Sequence, residues 1–266
     1  MSDIQVIILC GGQGTRIRDV SEILPKPMLP VGDRPILWHI MKRYASYGHT
    51  DFVLCLGYKG HMIKDFFMNY RSHVEDMFVR LQPDATGPEI KFLEPCDEVG
   101  WGIYLAETGD ETQTGSRVKR AAKYIEDGTF MLTYGDGVGD VDIDALLKFH
   151  KAHGKLVTVT GVRPPGRFGE LEVDGDEVKV FSEKPQAAGG LINGGFFVME
   201  REFVDRYILD DTTMALELEP LKNCALDGEM RVFIHDGFWQ PMDTLREYHL
   251  LNDLWAAGTA PWKSWD

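Results

Sequence analysis

Gln5-Val6-Ile7-Ile8-Leu9-Cys10-Gly11-Gly12-Gln13-Gly14-Thr15-Arg16 is the stretch from which the fold is read. Val6 to Leu9 form a short apolar run, of the kind that is buried on both faces in a parallel sheet. The glycines follow at once. In an open α/β sheet, ligands bind beyond the carboxyl ends of the strands. Glycines there let backbone N–H groups approach a phosphate with no Cβ in the way, and Arg16 adds a guanidinium fork suited to phosphate oxygens. The loop fits neither the dinucleotide fingerprint GxGxxG nor a Walker loop, which needs GxxxxGK followed by Ser or Thr. A tight turn after a strand is the alternative reading.

Outward from this stretch, helix and strand patterns alternate. Pro35–Tyr47 has helical spacing, with Pro35 at its start and Gly48 just past its end. Asp51–Leu56 reads as a buried strand and His61–Tyr70 as a helix. Ser116–Tyr124 reads as a basic amphipathic helix, Thr129–Tyr134 as a strand, Ile143–His153 as a helix stopped by Gly154, and Leu156–Val162 as a strand. Strands separated by helices of this length imply right-handed βαβ crossovers and a mainly parallel sheet. In the second half, Glu170–Val173 and Val178–Phe181 flank Asp174-Gly175-Asp176 as a hairpin. Leu191–Met199 and Met230–His235 read as strands, and Glu202–Ile208, Ala215–Leu226 and Leu245–Ala257 as helices. Phe78–Gly100 has no legible pattern. The expected class is α/β: a mixed, mostly parallel sheet flanked by helices, with a small β-hairpin and a C-terminal helical part. A length of 266 residues suits one such domain.

Composition sets further bounds. Hydrophobic residues are 44% and charged residues 26%, as in soluble globular proteins. The four cysteines, Cys10, Cys55, Cys96 and Cys224, form no CxxC pair, so neither a zinc site nor a disulfide framework is indicated. Reduced thiols in the cytoplasm are expected. No apolar run approaches a signal peptide or a membrane span. A net charge of -14 argues against nucleic acid as a partner. It also means that a phosphate site would have to make its own positive potential, from backbone N–H groups, a few Lys or Arg, and metal ions.

Two further motifs carry chemistry. In Pro25-Lys26-Pro27-Met28 the prolines restrict the backbone on both sides of the lysine, so a long cation is presented from a stiffened segment. Asp136 sits in Tyr134-Gly135-Asp136-Gly137, just past an apolar strand, and Asp243 precedes the last helix. Two carboxylates brought together by folding suit Mg²⁺ shared with nucleotide phosphates. A turn or helix-cap duty is the alternative for each. Asp140, Asp142 and Asp144 read as capping charges for the helix that starts near Ile143.

The glycine stretch combined with Lys26-Pro27-Met28 resembles the N-terminal signature of the sugar nucleotidyltransferases, whose fold is a Rossmann-like single sheet. The resemblance extends through Pro35–Met41, Gly57–Gly60, Thr114–Arg117, Tyr134–Gly137, Pro164–Gly169, Ile192–Phe197, Phe238–Thr244 and Ala260–Trp265. These stretches look most like the branch that acts on CTP and glucose 1-phosphate. The resemblance implies a catalytic role for Arg16 and Lys26, and Mg²⁺ held by Asp136 and Asp243. It implies nucleotide contacts from Leu9, Gly11, Gly12, Gly14, Thr15, Thr108, Thr114, Gly115, Arg117 and Gly135, with Thr108–Arg117 reaching the cytosine and Arg117 as a donor. The sugar phosphate would meet Gly169, Glu183, Lys184, Asn193 and Gly194, the glycines letting backbone approach the hexose. A nucleotide-binding half would span about 1–140 and a sugar-binding half about 141–266 of the single domain. A homo-oligomer, a hexamer in this branch, and a place in deoxysugar synthesis for surface polysaccharides are implied as well. The chain departs from the family's pattern at Gln13, across Cys96–Leu105, and at Ala215-Leu216, where a tryptophan is common. A uridylyl- or thymidylyltransferase and a non-catalytic regulatory subunit are the rival readings.

Overall fold

The computed structural model describes residues 4–12, 23–81, 87–94, 96–126, 128–164, 170–174, 177–182 and 190–265. Four consecutive apolar residues make β1 (Val6–Leu9), buried along its whole length. A two-stranded ribbon, β2 (Pro30–Val31) and β3 (Arg34–Pro35), leads into α1 (Ile36–Ala45). Then come β4 (Asp51–Leu56), α2 (Gly60–Met68), α3 (Tyr70–Val74), β5 (Met77–Arg80), β6 (Glu89–Phe92), β7 (Gly102–Glu107), α4 (Thr114–Ala121), β8 (Thr129–Tyr134) and β9 (Gly137–Gly139). The rest is α5 (Ile143–His153), β10 (Val157–Val162), β11 (Glu170–Asp174), β12 (Glu177–Ser182), β13 (Ile192–Glu200), α6 (Arg201–Tyr207), α7 (Glu219–Leu226), β14 (Met230–His235), β15 (Trp239–Pro241) and α8 (Leu245–Ala256).

A seven-stranded sheet runs in the order β14-β10-β13-β8-β1-β4-β7. Pairing is antiparallel on both sides of β13 and parallel elsewhere, the mixed, mostly parallel sheet that the sequence implies. The register puts Leu9 opposite Tyr134 on one side and Cys55 on the other. Gly11-Gly12 and Gly135-Asp136 therefore leave the sheet side by side at its carboxyl edge.

Successive strand residues face opposite ways, so β1 feeds two cores. Val6 and Ile8 join Leu54, Met131 and Val198 under α1 and the C-terminal Trp262. Ile7 joins Val53, Leu132 and Phe197 under α4, α6 and α7, through Val118, Ala121, Phe203, Val204 and Leu221. Among the described residues, no helix is long and apolar enough to cross a membrane.

The differences from the sequence reading have local causes. β7, which was not expected, begins just past the Phe78–Gly100 stretch; it lies at the edge of the sheet, and Ala106 is its one buried residue. Phe78–Gly100 holds the β5–β6 hairpin. The helix expected from Ala215 begins instead at Glu219, followed by Pro220, because the chain before it is hydrogen-bonded to the start of α4. The helix expected over His61–Tyr70 ends at Met68, and α3 starts at Tyr70.

Candidate active site

A cavity of about 620 Å³ opens where β1 and β8 end. Its wall is Leu9 to Gly12, Lys26, Pro27, Asp110 to Thr114, Arg117, Tyr134, Gly135, Asp136 and Asp243. Of the residues expected from the sequence, it gathers Leu9, Gly11, Gly12, Lys26, Thr114, Arg117, Gly135, Asp136 and Asp243. Gly14, Thr15, Arg16, Gly169, Glu183 and Lys184 lie outside the described residues.

Three charged groups meet on the floor. Lys26 starts a 3-10 turn with Pro25 before it and Pro27 inside it, closed by Met28 N–H donating to Pro25 O (2.8 Å) and Leu29 N–H to Lys26 O (3.1 Å). Its side chain is thereby driven inward, 9% exposed. Its Nζ donates to Asp136 Oδ2 and to Asp243 Oδ1, both at 2.6 Å. Burial works against the ammonium charge, but the two carboxylates outweigh it and hold the Lys26 pKa above its ordinary value. Asp243 is brought in from far along the chain by β15 pairing with β9 and by Met242 N–H donating to Asp136 O (2.8 Å). The cap of α8 is Thr244, in a capping box with Glu247. Glu247 Oε2 accepts from the N–H groups of both Asp243 (2.7 Å) and Thr244 (2.9 Å). The capping alternative for Asp243 is thus taken by its neighbour, and its carboxylate turns to the cavity. Asp142, by contrast, is a helix cap, accepting from Ala145 N–H at 2.9 Å.

Arg117 clamps the glycine turn. Its Nη1 donates to Leu56 O (2.9 Å) and Thr108 Oγ1 (2.8 Å), and its Nη2 to Gly11 O (3.1 Å) and Asp110 O (3.2 Å). A Cβ at Gly11 would overlap this guanidinium, which is why a glycine stands there. Both Nη atoms are committed to protein acceptors, so Arg117 acts here as a clamp and not as a donor to a base. Thr108 is likewise not on the wall: its buried hydroxyl donates to Leu56 O (2.6 Å) and accepts from Arg117. Gly115 is off the wall too, packed against Met214 O. The wall beside the clamp consists of Asp110, Glu111, Thr112, Gln113 and Thr114, of which the sequence reading singled out only Thr114.

On the other side stands Tyr134, at the end of β8. Asn193 and Gly194 do not line the cavity; Asn193 reaches it through Tyr134, its Nδ2 donating to the Tyr134 hydroxyl at 3.1 Å. Gly195 adopts φ 80, and a Cβ there would overlap the Tyr134 ring. That glycine makes room for a protein side chain. Tyr134 OH donates to Glu217 Oε1 (2.6 Å), a residue that the sequence reading missed.

Among the described residues the wall carries the acids Asp110, Glu111, Asp136 and Asp243 against the cations Lys26 and Arg117. A polyphosphate entering it needs added positive charge. Asp136 and Asp243 offer hard oxygens side by side, a donor set that Mg²⁺ can share with substrate oxygens. No group of three or more His, Cys, Asp or Glu side chains is placed to hold a metal among the described residues.

The family model described as nucleotidyl transferase matches residues 5–252. The glucose-1-phosphate cytidylyltransferases of Salmonella typhi and Salmonella typhimurium (strain LT2) are each 46% identical over 264 residues, covering 99% of this chain and 100% of the relative. A crystal structure of HddC from Yersinia pseudotuberculosis, complexed with GMP-PN, superposes with a TM-score of 0.65 at 22% identity, over 95% of this chain and 99% of that one, and shares the fold. A glycine turn and an aspartate at neighbouring strand ends, a proline-framed lysine between two carboxylates, and near full-length identity of this degree lead to one conclusion: the chain belongs to the nucleotidyl transferase family, with the glucose-1-phosphate cytidylyltransferases among its relatives.

Proposed function

We infer that the protein transfers the cytidylyl group of CTP to glucose 1-phosphate, giving CDP-glucose and pyrophosphate. The observation that carries the chemistry is the Lys26, Asp136 and Asp243 cluster beside the glycine turn. The choice of CTP and glucose 1-phosphate rests on the two Salmonella relatives.

A phosphate oxygen of the sugar substrate attacks the α-phosphorus of CTP in line with the departing pyrophosphate. The bond from the α-phosphorus to the bridging oxygen breaks as the new P–O bond forms, so no covalent enzyme intermediate is needed. Catalysis is positioning and charge stabilisation. Gly11 and Gly12 hold the triphosphate at the strand ends, where the Arg117 clamp fixes their backbone. Lys26, with Arg16, stabilises charge on the α-phosphate and the leaving group. Mg²⁺, held by Asp136 and Asp243, would supply phosphate neutralisation when bound. Glu183, Lys184 and Asn193 are assigned to the sugar phosphate, in a sugar-binding half of about 141–266 against a nucleotide-binding half of about 1–140.

The reading also makes the protein a cytoplasmic enzyme, in keeping with its four free cysteines, and gives it a place in deoxysugar and polysaccharide precursor synthesis. It makes it a homo-oligomer, a hexamer; the exposed apolar side chains Phe78, Val79 and Ile90 on the β5–β6 hairpin support association, not its stoichiometry. The experiment is pyrophosphate release with Mg²⁺ and glucose 1-phosphate, offering CTP, UTP, dTTP, ATP and GTP separately. Preference for CTP supports the reading. Turnover with UTP or dTTP but not CTP overturns the base assignment, and silence with all five overturns the activity.

A further inference from the structure

Glu217 stands where three parts of the protein meet. The chain from Asp211 to Glu217 is strapped onto the start of α4. Gln113 N–H donates to Thr212 O (2.8 Å), Gly115 N–H to Met214 O (3.0 Å), and Leu216 N–H to Thr114 Oγ1 (2.8 Å). A Cβ at Gly115 would sit 2.8 Å from Met214 O, so the strap lies close. Its last residue then spans the gap between the two sides of the cavity. Thr114 Oγ1 donates to Glu217 Oε2 and Tyr134 OH donates to Glu217 Oε1, both at 2.6 Å.

The directions of these bonds are fixed at both ends, by the Glu217 carboxylate and by the Gly195 N–H. A carboxylate only accepts, so the Tyr134 hydroxyl proton is committed to it. The Tyr134 oxygen must then accept, and it accepts from Asn193 Nδ2. With Gly195 N–H donating to Asn193 Oδ1 at 2.9 Å, the Asn193 amide is held from both its ends. One N–H and one lone pair of the Asn193 amide remain in a fixed orientation.

We propose that Glu217 is a positioning residue for sugar recognition: through Tyr134 it orients the Asn193 amide toward the hexose hydroxyls, while Thr114 ties it to the nucleotide wall. The proposal rests on the assignment of Asn193 to the sugar phosphate.

The test is steady-state kinetics, with each substrate varied in turn, on Asn193→Ala, Glu217→Ala, Glu217→Gln, Tyr134→Phe and the double variant Glu217→Ala/Tyr134→Phe, each first checked by its melting temperature. Asn193→Ala should raise KM for glucose 1-phosphate. Glu217→Ala and Tyr134→Phe should each raise that KM about 5- to 30-fold, the effect of one lost orienting contact. KM for CTP should rise less than KM for glucose 1-phosphate, and the double variant should match the worse single variant within about twofold, since all act through one chain. Glu217→Gln keeps an oxygen facing Tyr134 and should recover most of the loss. If Asn193→Ala raises the sugar-phosphate KM but Glu217→Ala does not, the positioning role is overturned. Multiplying effects in the double variant, or an equal loss toward both substrates with a lowered melting temperature, overturn it as well. An unchanged sugar-phosphate KM in Asn193→Ala removes the assignment beneath it and overturns both.

Discussion

Replacing Lys26 with methionine keeps the shape of the side chain and removes its charge. The Nζ lies 2.6 Å from Asp136 Oδ2 and 2.6 Å from Asp243 Oδ1, so those oxygens are at most twice that distance apart. Two unit charges about 5 Å apart repel by about 3 kcal/mol at an effective dielectric of about 20. The Asp136 and Asp243 side chains are 34% and 25% exposed against 10% for Lys26, so solvent relieves part of this, and the variant also avoids burying an ammonium. The net cost is about 2 kcal/mol, or roughly 4–8 °C in melting temperature for a chain of this size. Turnover should fall by roughly 10²–10³, the effect of one lost charge-stabilising group. Mg²⁺ added without nucleotide should raise the melting temperature of the variant more than that of the wild type, because a divalent ion can replace the ammonium between the carboxylates. Calorimetry with and without MgCl₂, beside pyrophosphate release, reads both effects. Unchanged turnover would refute the catalytic role of Lys26. An equal Mg²⁺ shift in the two proteins would refute the metal assignment.

Thr244→Ala removes the hydroxyl that accepts from Glu247 N–H in the capping box, and should destabilise by about 1 kcal/mol; thermal unfolding measures it, and an unmoved midpoint would contradict the cap. Arg117→Met takes the guanidinium donors from Gly11 O and Asp110 O, at about 1–3 kcal/mol for the buried Gly11 carbonyl and less for the part-buried Asp110 carbonyl. Urea unfolding should show a larger loss than for Lys26→Met, with a raised KM for CTP, and a smaller loss would contradict the clamp. At the far end of the sheet, Lys155 N–H donates to His153 Nδ1 (2.9 Å), and His153 Nε2–H therefore donates to Thr158 Oγ1 (2.7 Å). Thr158 O–H then donates to His150 Nδ1 (2.8 Å), and His150 Nε2–H to Glu200 Oε1 (3.1 Å). This chain requires both rings neutral, and burial lowers both pKa values. Because the folded pKa values are depressed, the unfolded chain binds more protons. The stabilisation is complete above the ordinary value of 6.5 and is lost as pH falls below it. Urea midpoints should therefore drop less between pH 7.5 and 5.5 in His150→Gln/His153→Gln than in the wild type; equal drops would contradict the chain.

Much of the fold was legible because its signals are local. Asp51–Leu56, Thr129–Tyr134 and Ile143–His153 were bounded correctly: two are buried apolar runs, and the helix carries its own start and stop signals, a side-chain N-cap from Asp142 and Gly154 at φ 62. β7 was not legible, because it opens on Gly102, a poor strand former, and only Ala106 of it is buried. In the site, the glycine turn and Asp136 announce themselves by following apolar strands. Asp243 was ambiguous between cap and ligand, and the structure gives the cap to Thr244. The roles of Arg117 and Glu217 were out of reach, since they depend on partners that only folding brings close: Gly11 is 106 residues from Arg117, and Thr114 is 103 residues from Glu217.

The central claim is direct transfer of CMP to the sugar phosphate, and following the α-phosphorus tests it most directly. CTP labelled with ³²P at the α-position is incubated with the enzyme, Mg²⁺ and glucose 1-phosphate, and the products are separated. The account predicts label in CDP-glucose, one pyrophosphate released for each, and none retained on the protein. Label on the protein after denaturation, or release of labelled CMP with no CDP-glucose, would contradict it.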